Sequence, residues 1–363
     1  MSRIARHLQA HNIHNPFPGL VKLQQKLGRE ITTRLGSNES APLPLPALTD
    51  LLGEQGMLLA SQYPDPYAHD IRQLAASLNQ VDGSEVIVDS GADSLILLAL
   101  RLCCNLGDTV ITSAGSYPTF RYFAEGCGQR VVEVSLQSGS QGQLEADLGA
   151  LAFNAHQYKA QLVYLANPDN PTGHYHSQAE IERFRQSLPA DCILLLDEAY
   201  LEFALPGEAL SKVMPNTLRL RTLSKAYALA GLRIGYAIGP ADLIAKADEI
   251  RPQFAVSSLA QQAARIVLQA QDTVHSLLNA TIEQRSALSA TLVQHGLTVL
   301  PSHTNFICIH YPDSLIAENV QKRLFDLGVA VHRPSHPAVN HLIRVTVPAQ
   351  PLPDFILDAL IQA

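Results

Sequence analysis

Lys225 follows Ser224 directly and stands eight residues before Arg233, in the run Thr222-Leu223-Ser224-Lys225-Ala226-Tyr227-Ala228-Leu229-Ala230-Gly231-Leu232-Arg233-Ile234-Gly235. An amine, a hydroxyl and a guanidinium at that spacing suit a small molecule bearing both an aldehyde and a phosphate. The amine can bond the aldehyde carbon, while the other two hold phosphate oxygens. Pyridoxal phosphate carries that pair of groups. Taken alone, the same lysine reads as a surface residue on a loop, so other stretches must support it.

Asp197 closes the apolar run Ile193-Leu194-Leu195-Leu196 and opens Asp197-Glu198-Ala199-Tyr200. A carboxylate there is costly to bury unless it meets a cation. A protonated pyridine nitrogen is such a cation, and keeping it protonated turns the ring into an electron sink. A helix N-cap is the ordinary alternative. Tyr200, and Asn170 in Asn167-Pro168-Asp169-Asn170-Pro171-Thr172-Gly173, can both hydrogen-bond a phenolic oxygen on that ring. The prolines stiffen the Asn170 loop and allow a cis bond. Ser90-Gly91-Ala92-Asp93 offers backbone N–H groups and a helix N-terminus to an anion. Phe120, in Tyr117-Pro118-Thr119-Phe120, is either a ring-stacking residue or an ordinary core phenylalanine.

Strands must present these residues at a common edge. Short strands are expected at Val86–Val88, Val110–Thr112, Leu162–Leu165, Ile193–Leu196 and, by alternation, Leu218–Thr222, with helices among them. Ser177 and Glu180 form a capping box for one helix. This alternation predicts an α/β fold with a mostly parallel sheet, whose ligands lie at the carboxyl ends of the strands. After residue 265 the rhythm changes. A long polar helix, strands at Phe306–Ile309 and Ile343–Val347, and helices over Ile316–Leu327 and Phe355–Ile361 predict a smaller α+β domain, completed by the N-terminal segment. The proline-rich Ala41–Pro46 marks a crossing between the two. The expected division is 46–264 for the large domain, with 1–45 and 265–363 for the small one.

At 363 residues, two domains are the natural prior, and 47% hydrophobic against 16% charged residues is enough for a large core. A net charge of −7 without a basic run argues against nucleic acid or an anionic membrane as partner. The start, Met1-Ser2-Arg3-Ile4-Ala5-Arg6-His7, lacks an apolar core, and no later run approaches a membrane span, so a cytoplasmic protein is expected. Five cysteines show no zinc or redox spacing, and His332, His336 and His341 lack cysteine or carboxylate company at ligand spacing; no metal is expected.

Together, Ser-Gly-Ala-Asp, Pro-Thr-Phe, Asn-Pro-x-Asn-Pro-Thr-Gly, Asp-Glu-Ala-Tyr, Ser-Lys and Gly-Leu-Arg-x-Gly-Tyr make a sequence that resembles the fold-type I pyridoxal-phosphate-dependent aminotransferases, specifically the histidinol-phosphate aminotransferase family, over nearly its whole length. The resemblance implies a seven-stranded large-domain sheet, pyridoxal 5′-phosphate as cofactor, and transfer of an amino group from an amino acid to a 2-oxo acid in two half-reactions. Histidinol phosphate and 2-oxoglutarate are the implied substrates, in histidine biosynthesis. Lys225 matches the lysine that bonds the cofactor and later moves the Cα proton. Asp197 matches the ring-nitrogen partner, and Tyr200 and Asn170 the ligands of the ring oxygen. Ala92, Asp93, Ser224 and Arg233 match the phosphate cup, and Phe120 the stacking position. The family works as a homodimer, and Tyr63 matches a tyrosine that reaches the neighbouring subunit's phosphate. Arg344 matches the α-carboxylate clamp, and Asn38 the segment that closes over the substrate.

Three departures bear on substrate. Phe17, in Pro16-Phe17-Pro18-Gly19, stands where the family carries a phosphate-binding tyrosine. The family's second phosphate arginine falls nearest His332, with Arg333 one place along, and a one-residue shift in a strand reverses the face. Ser37-Asn38-Glu39-Ser40 lacks the usual proline. These leave room for an aromatic or other unphosphorylated amino donor. A decarboxylase resembling threonine-phosphate decarboxylase would use the same cofactor cup.

Overall fold

The computed structural model describes residues 3–9, 13–17, 19–51, 53–139, 142–208 and 213–362; Met1, Ser2 and Pro18 lie outside the described residues. Seven strands form the main sheet: β1 (Val86–Asp89), β2 (Thr109–Ser113), β3 (Arg130–Val134), β4 (Leu162–Ala166), β5 (Ile193–Asp197), β6 (Thr217–Thr222) and β7 (Gly235–Ile238). Their order is β1-β7-β6-β5-β4-β2-β3, and only β7 runs against the rest. The apolar runs of β4 and β5 are nearly or wholly buried, as strands covered by helices on both faces must be.

Helices Ala92–Cys103, Pro118–Gly126, Leu148–Gln157 and Gln178–Ser187 connect successive parallel strands. The capping box at Ser177 and Glu180 forms as expected. Because the parallel strands share one direction, the ends at Asp89, Ala166, Asp197 and Thr222 come to the same edge.

A second layer is the antiparallel sheet β8 (Thr298–Leu300), β9 (Phe306–His310) and β10 (Leu342–Thr346), in that order. Helices Ser314–Asp326 and Asp354–Ile361 pack on it through Val320, Leu324, Ile356 and Leu360. The long helix Gln271–Gln294 spans both regions, with Val274 and Leu278 in the large core and Leu288 and Leu292 in the small one. Thr33–Arg34 pairs in parallel with Val329–Ala330, which ties the N-terminal segment to the second layer. Just beyond, a Cβ at Gly36 would lie 3.0 Å from the Val331 carbonyl carbon, so the chain passes closely enough to require glycine before it reaches the sheet edge.

Candidate active site

The loops at the strand ends and the segment Gly36–Glu39 enclose a cavity of about 470 Å³. Lys225 lines it, placed three residues past the end of β6. Its Nζ donates to the carbonyls of Ser37 and Asn38, at 3.2 and 3.1 Å. Burial, then the Arg344 guanidinium, pull the amine down to about 8, so roughly a tenth of it is neutral at pH 7.

Asp197, at the end of β5, is 5% exposed, and burial pushes it up to about 6. Its Oδ2 accepts from the Tyr164 hydroxyl at 2.7 Å and its Oδ1 from the Ala199 N–H at 3.1 Å. Among the described residues no basic side chain pairs with it. Tyr200 lines the cavity three residues on, and its hydroxyl accepts from Asn38 Nδ2 at 2.8 Å. Asn170 lines it from the loop after β4, where the Asn167–Pro168 bond is cis.

Opposite, the helix Ala92–Cys103 points its N-terminus at the cavity, with Ala92 and Asp93 on the wall. Gly91 precedes it at φ +85, and a Cβ there would sit 3.0 Å from Arg233 Nη2; only glycine lets the guanidinium lie over this turn. Arg233 also reaches Ser224 Oγ at 3.4 Å and Asp93 at 3.5 Å. A helix N-terminus, a hydroxyl and a guanidinium thus converge on one spot, a donor set made for a phosphate.

Arg344, on β10, is buried under the other side of the cavity. Its donors reach Asn170 Oδ1 and the Gly36 carbonyl, both at 2.5 Å, and its Nε is buried without a partner. Asn38 joins this wall: its N–H bonds Thr346 Oγ1 at 2.9 Å and its carbonyl accepts from Asn305 at 3.1 Å. Phe17 closes the mouth, its ring 6.1 Å from those of Tyr117 and His332.

Four expected site residues, Phe120, Arg333, His332 and Tyr63, do not line the cavity. Phe120 is fully buried, its ring stacked on Tyr164 with centroids 4.4 Å apart, and it does not line the cavity. The helix Pro118–Gly126 turns position 120 inward onto the sheet and leaves its N-cap residue, Tyr117, as the aromatic on the cavity wall. Arg333 ion-pairs with Glu318 at 3.2 Å and donates to the Asn340 carbonyl at 3.2 Å. His332 bridges Arg344 in antiparallel fashion, and directly paired residues share a face, so His332 turns toward Arg344 and Arg333 away from it. Tyr63 is 85% exposed, against Phe254, and does not line the cavity of its own chain. Tyr117, Tyr164 and Thr346 were missed; an apolar strand gives no sign that Tyr164 ends on a carboxylate.

The residues present fit pyridoxal phosphate. The buried Asp197 carboxylate lacks a cation, the Gly91 turn and Arg233 form a cradle that a Cβ would obstruct, and the Lys225 amine shares the same cavity. Among the described residues no group of three or more His, Cys, Asp or Glu side chains could hold a metal, and no helix is long and apolar enough to cross a membrane.

Residues 30–354 match the family model for aminotransferase class I and II. The chain is 32% identical to a histidinol-phosphate aminotransferase of Anaeromyxobacter sp. (strain Fw109-5), over 86% of this chain and 85% of that one. It is 35% identical to an aromatic amino acid aminotransferase of Corynebacterium glutamicum (strain R), over 76% and 79%. A histidinol-phosphate aminotransferase from Sinorhizobium meliloti, solved in complex with pyridoxal-5′-phosphate, superimposes with a TM-score of 0.87 at 34% identity, covering 100% of this chain and 96% of that one.

Proposed function

This chain belongs to the class I and II aminotransferase family and is a pyridoxal 5′-phosphate-dependent aminotransferase, and from that premise we propose that it moves the amino group of histidinol phosphate to 2-oxoglutarate. The observation that carries this reading is the buried Arg344, with an unpartnered Nε, in the cavity that holds Lys225. Both half-reactions use one cavity, and the two substrates present different anions to it, a phosphate and a carboxylate. With Arg333 committed to Glu318, Arg344 is the guanidinium available to both.

The bound cofactor supplies an aldehyde that takes up the amino group and a protonated ring that accepts the electron pair released at the donor's Cα. Asp197 holds that ring nitrogen protonated. Ala92, Asp93, Ser224 and Arg233 hold the phosphate, and Tyr200 and Asn170 the ring oxygen. Lys225, neutral in part because its amine is drawn down to about 8, would take the proton from the donor's Cα and would return it on the cofactor's side of the site. Asn38 and its segment cover the substrate and exclude water.

A second reading, transfer from an unphosphorylated aromatic amino acid, is favoured by the rings of Phe17 and Tyr117 on the cavity wall, with the His332 ring 6.1 Å from that of Phe17. Burial and Arg344 keep His332 well below its ordinary value, so it adds no cation for a phosphate.

The reading extends to a homodimer in which Tyr63 reaches the partner's cofactor phosphate, supported by the exposure of Met57, Leu58, Tyr63 and Phe254. It keeps two domains, 46–264 and 1–45 with 265–363, bridged by the helix Gln271–Gln294. A cytoplasmic location agrees with five free cysteines.

The test is the absorbance of the cofactor-loaded protein, titrated separately with histidinol phosphate, phenylalanine and threonine phosphate in the absence of acceptor. Conversion to the pyridoxamine form by histidinol phosphate at far lower concentration than by phenylalanine supports the first reading. The reverse order establishes the second, and gas release from threonine phosphate would overturn both.

A further inference from the structure

A carboxylate that must face a ring cation has to stay ionised and hold its orientation before that cation arrives. Of the strongest influences on Asp197, burial opposes ionisation and two hydrogen bonds favour it, while the cations Lys225, Arg233 and Arg344 line the same cavity without pairing with it. Asp93 and Glu198 are like charges and oppose it, and of its other neighbours Tyr117 and Tyr200 carry neutral hydroxyls. One of the two bonds is a local backbone contact from Ala199; the other comes from a different strand.

That strand is β4. Tyr164 pairs in register with Leu195, two residues before Asp197, so the two side chains stand on the same face of the sheet as diagonal neighbours. A tyrosine is long enough to span that diagonal, and its hydroxyl meets Asp197 Oδ2 at 2.7 Å. Tyr164 is fully buried, and the Phe120 ring lies almost flat against it, 10° from parallel. The hydroxyl therefore has no water to turn to and no freedom to swing away.

We propose that Tyr164 is a positioning residue for Asp197, its ring clamped by Phe120 so that its hydroxyl keeps the carboxylate ionised and aimed at the ring nitrogen of the bound cofactor. The inference rests on Asp197 being the ring-nitrogen partner, and the experiment separates the two.

Cofactor affinity of the apoprotein is measured by absorbance titration, across the pH range on both sides of 6, for wild type, Tyr164→Phe, Asp197→Asn and the double variant, each checked for native circular dichroism. Without the hydroxyl, Asp197 is neutral over a wider acid range. Tyr164→Phe should therefore bind cofactor roughly tenfold more weakly near neutral pH, with the acid limb of binding displaced to higher pH. In the Asp197→Asn background the same substitution should cost nothing further, because a residue acting through Asp197 is silent once the carboxylate is gone. An equal loss in both backgrounds, or an unmoved acid limb, would reduce Tyr164 to core packing and overturn the proposal. Wild-type affinity in Asp197→Asn would overturn the reading of Asp197, and this inference with it. Should Tyr164→Phe not fold, Phe120→Leu keeps the hydroxyl but frees the ring; a smaller displacement in the same direction is expected, and an unmoved limb counts against the clamp.

Discussion

The Lys225 amine is kept partly neutral by the burial that also surrounds Asp197 and Arg344, and the consequence can be measured without substrate. Its folded value of about 8 lies below the ordinary 10.5, so between these pH values the unfolded chain binds more protons than the folded one. The apoprotein should accordingly gain stability from this group as pH rises from about 8 to 10.5, and a Lys225→Met variant should lose that rise in its urea midpoint. The same variant should hold no cofactor after borohydride reduction; an adduct found at another lysine would contradict the role of Lys225. Arg344→Ala should weaken both the amino donor and the 2-oxo acid by about 2–5 kcal/mol in kcat/KM, since it removes a buried charge partner. A loss confined to one substrate would show that the anions bind at separate sites. At this scale the sequence was informative wherever a polar residue followed a recognisable strand, as with Asp197, Tyr200 and Lys225, because the strand end dictates where the side chain emerges. It was uninformative where the answer depended on facing. Phe120 against Tyr117, and Arg333 against His332, are decided by a helix turn and a one-residue parity that no motif encodes.

Strand β6 shows how an element can be read correctly and its environment missed. Leu218-Arg219-Leu220-Arg221 alternates as a half-exposed strand would, yet all of Thr217–Thr222 is buried. Its charged face meets Glu198, which accepts from Arg219 at 2.7 Å and from Arg221 at 3.0 Å, while Arg221 also reaches Glu202 at 3.0 Å. Burial opposes ionisation of Glu198, but the two guanidiniums outweigh it and hold its carboxyl below the ordinary range. The network lies directly beneath the loop of Asp197 to Tyr200, so it fixes the strand end that carries the site. Replacing Glu198 with Ala removes the carboxylate that both buried guanidiniums share, leaving Arg221 with Glu202 alone, and the expected loss is about 3–5 kcal/mol of unfolding free energy in denaturant titration. Glu198→Gln, which keeps the shape and one acceptor oxygen but not the charge, should lose less. Equal losses would mean that charge, not shape, is what the network supplies. The wholly apolar strands β4 and β5 and the capped helix after β4 were legible because burial on two faces admits little but aliphatic residues. The ion network was not legible, since alternation alone cannot say whether a charged face meets water or a partner.

At the scale of the whole molecule, the single chain builds a cavity with every expected cofactor group except two: Phe120 is in the core and Tyr63 stands 85% exposed. Exposure of a large aromatic against Phe254, on a chain that also exposes Met57 and Leu58, is costly for a protein that works alone and reasonable for one that pairs. If Tyr63 serves the partner's site, then Lys225 and Tyr63 of one site come from different chains, and two defective proteins can repair each other. Mixing Lys225→Ala with Tyr63→Ala under conditions that exchange subunits gives mixed dimers with one site lacking both groups and one site lacking neither. Random exchange makes half the dimers mixed, so the mixture should recover about a quarter of wild-type activity at a cofactor concentration where Tyr63→Ala alone is largely empty. If Tyr63 acts within its own chain, both sites of the mixed dimer lack a group and activity should not exceed that of the Tyr63→Ala control. A Tyr63→Ala protein that binds cofactor as tightly as wild type while dissociating more readily in sedimentation would instead place Tyr63 outside the site altogether, as an interface residue that binds the subunits without touching the cofactor.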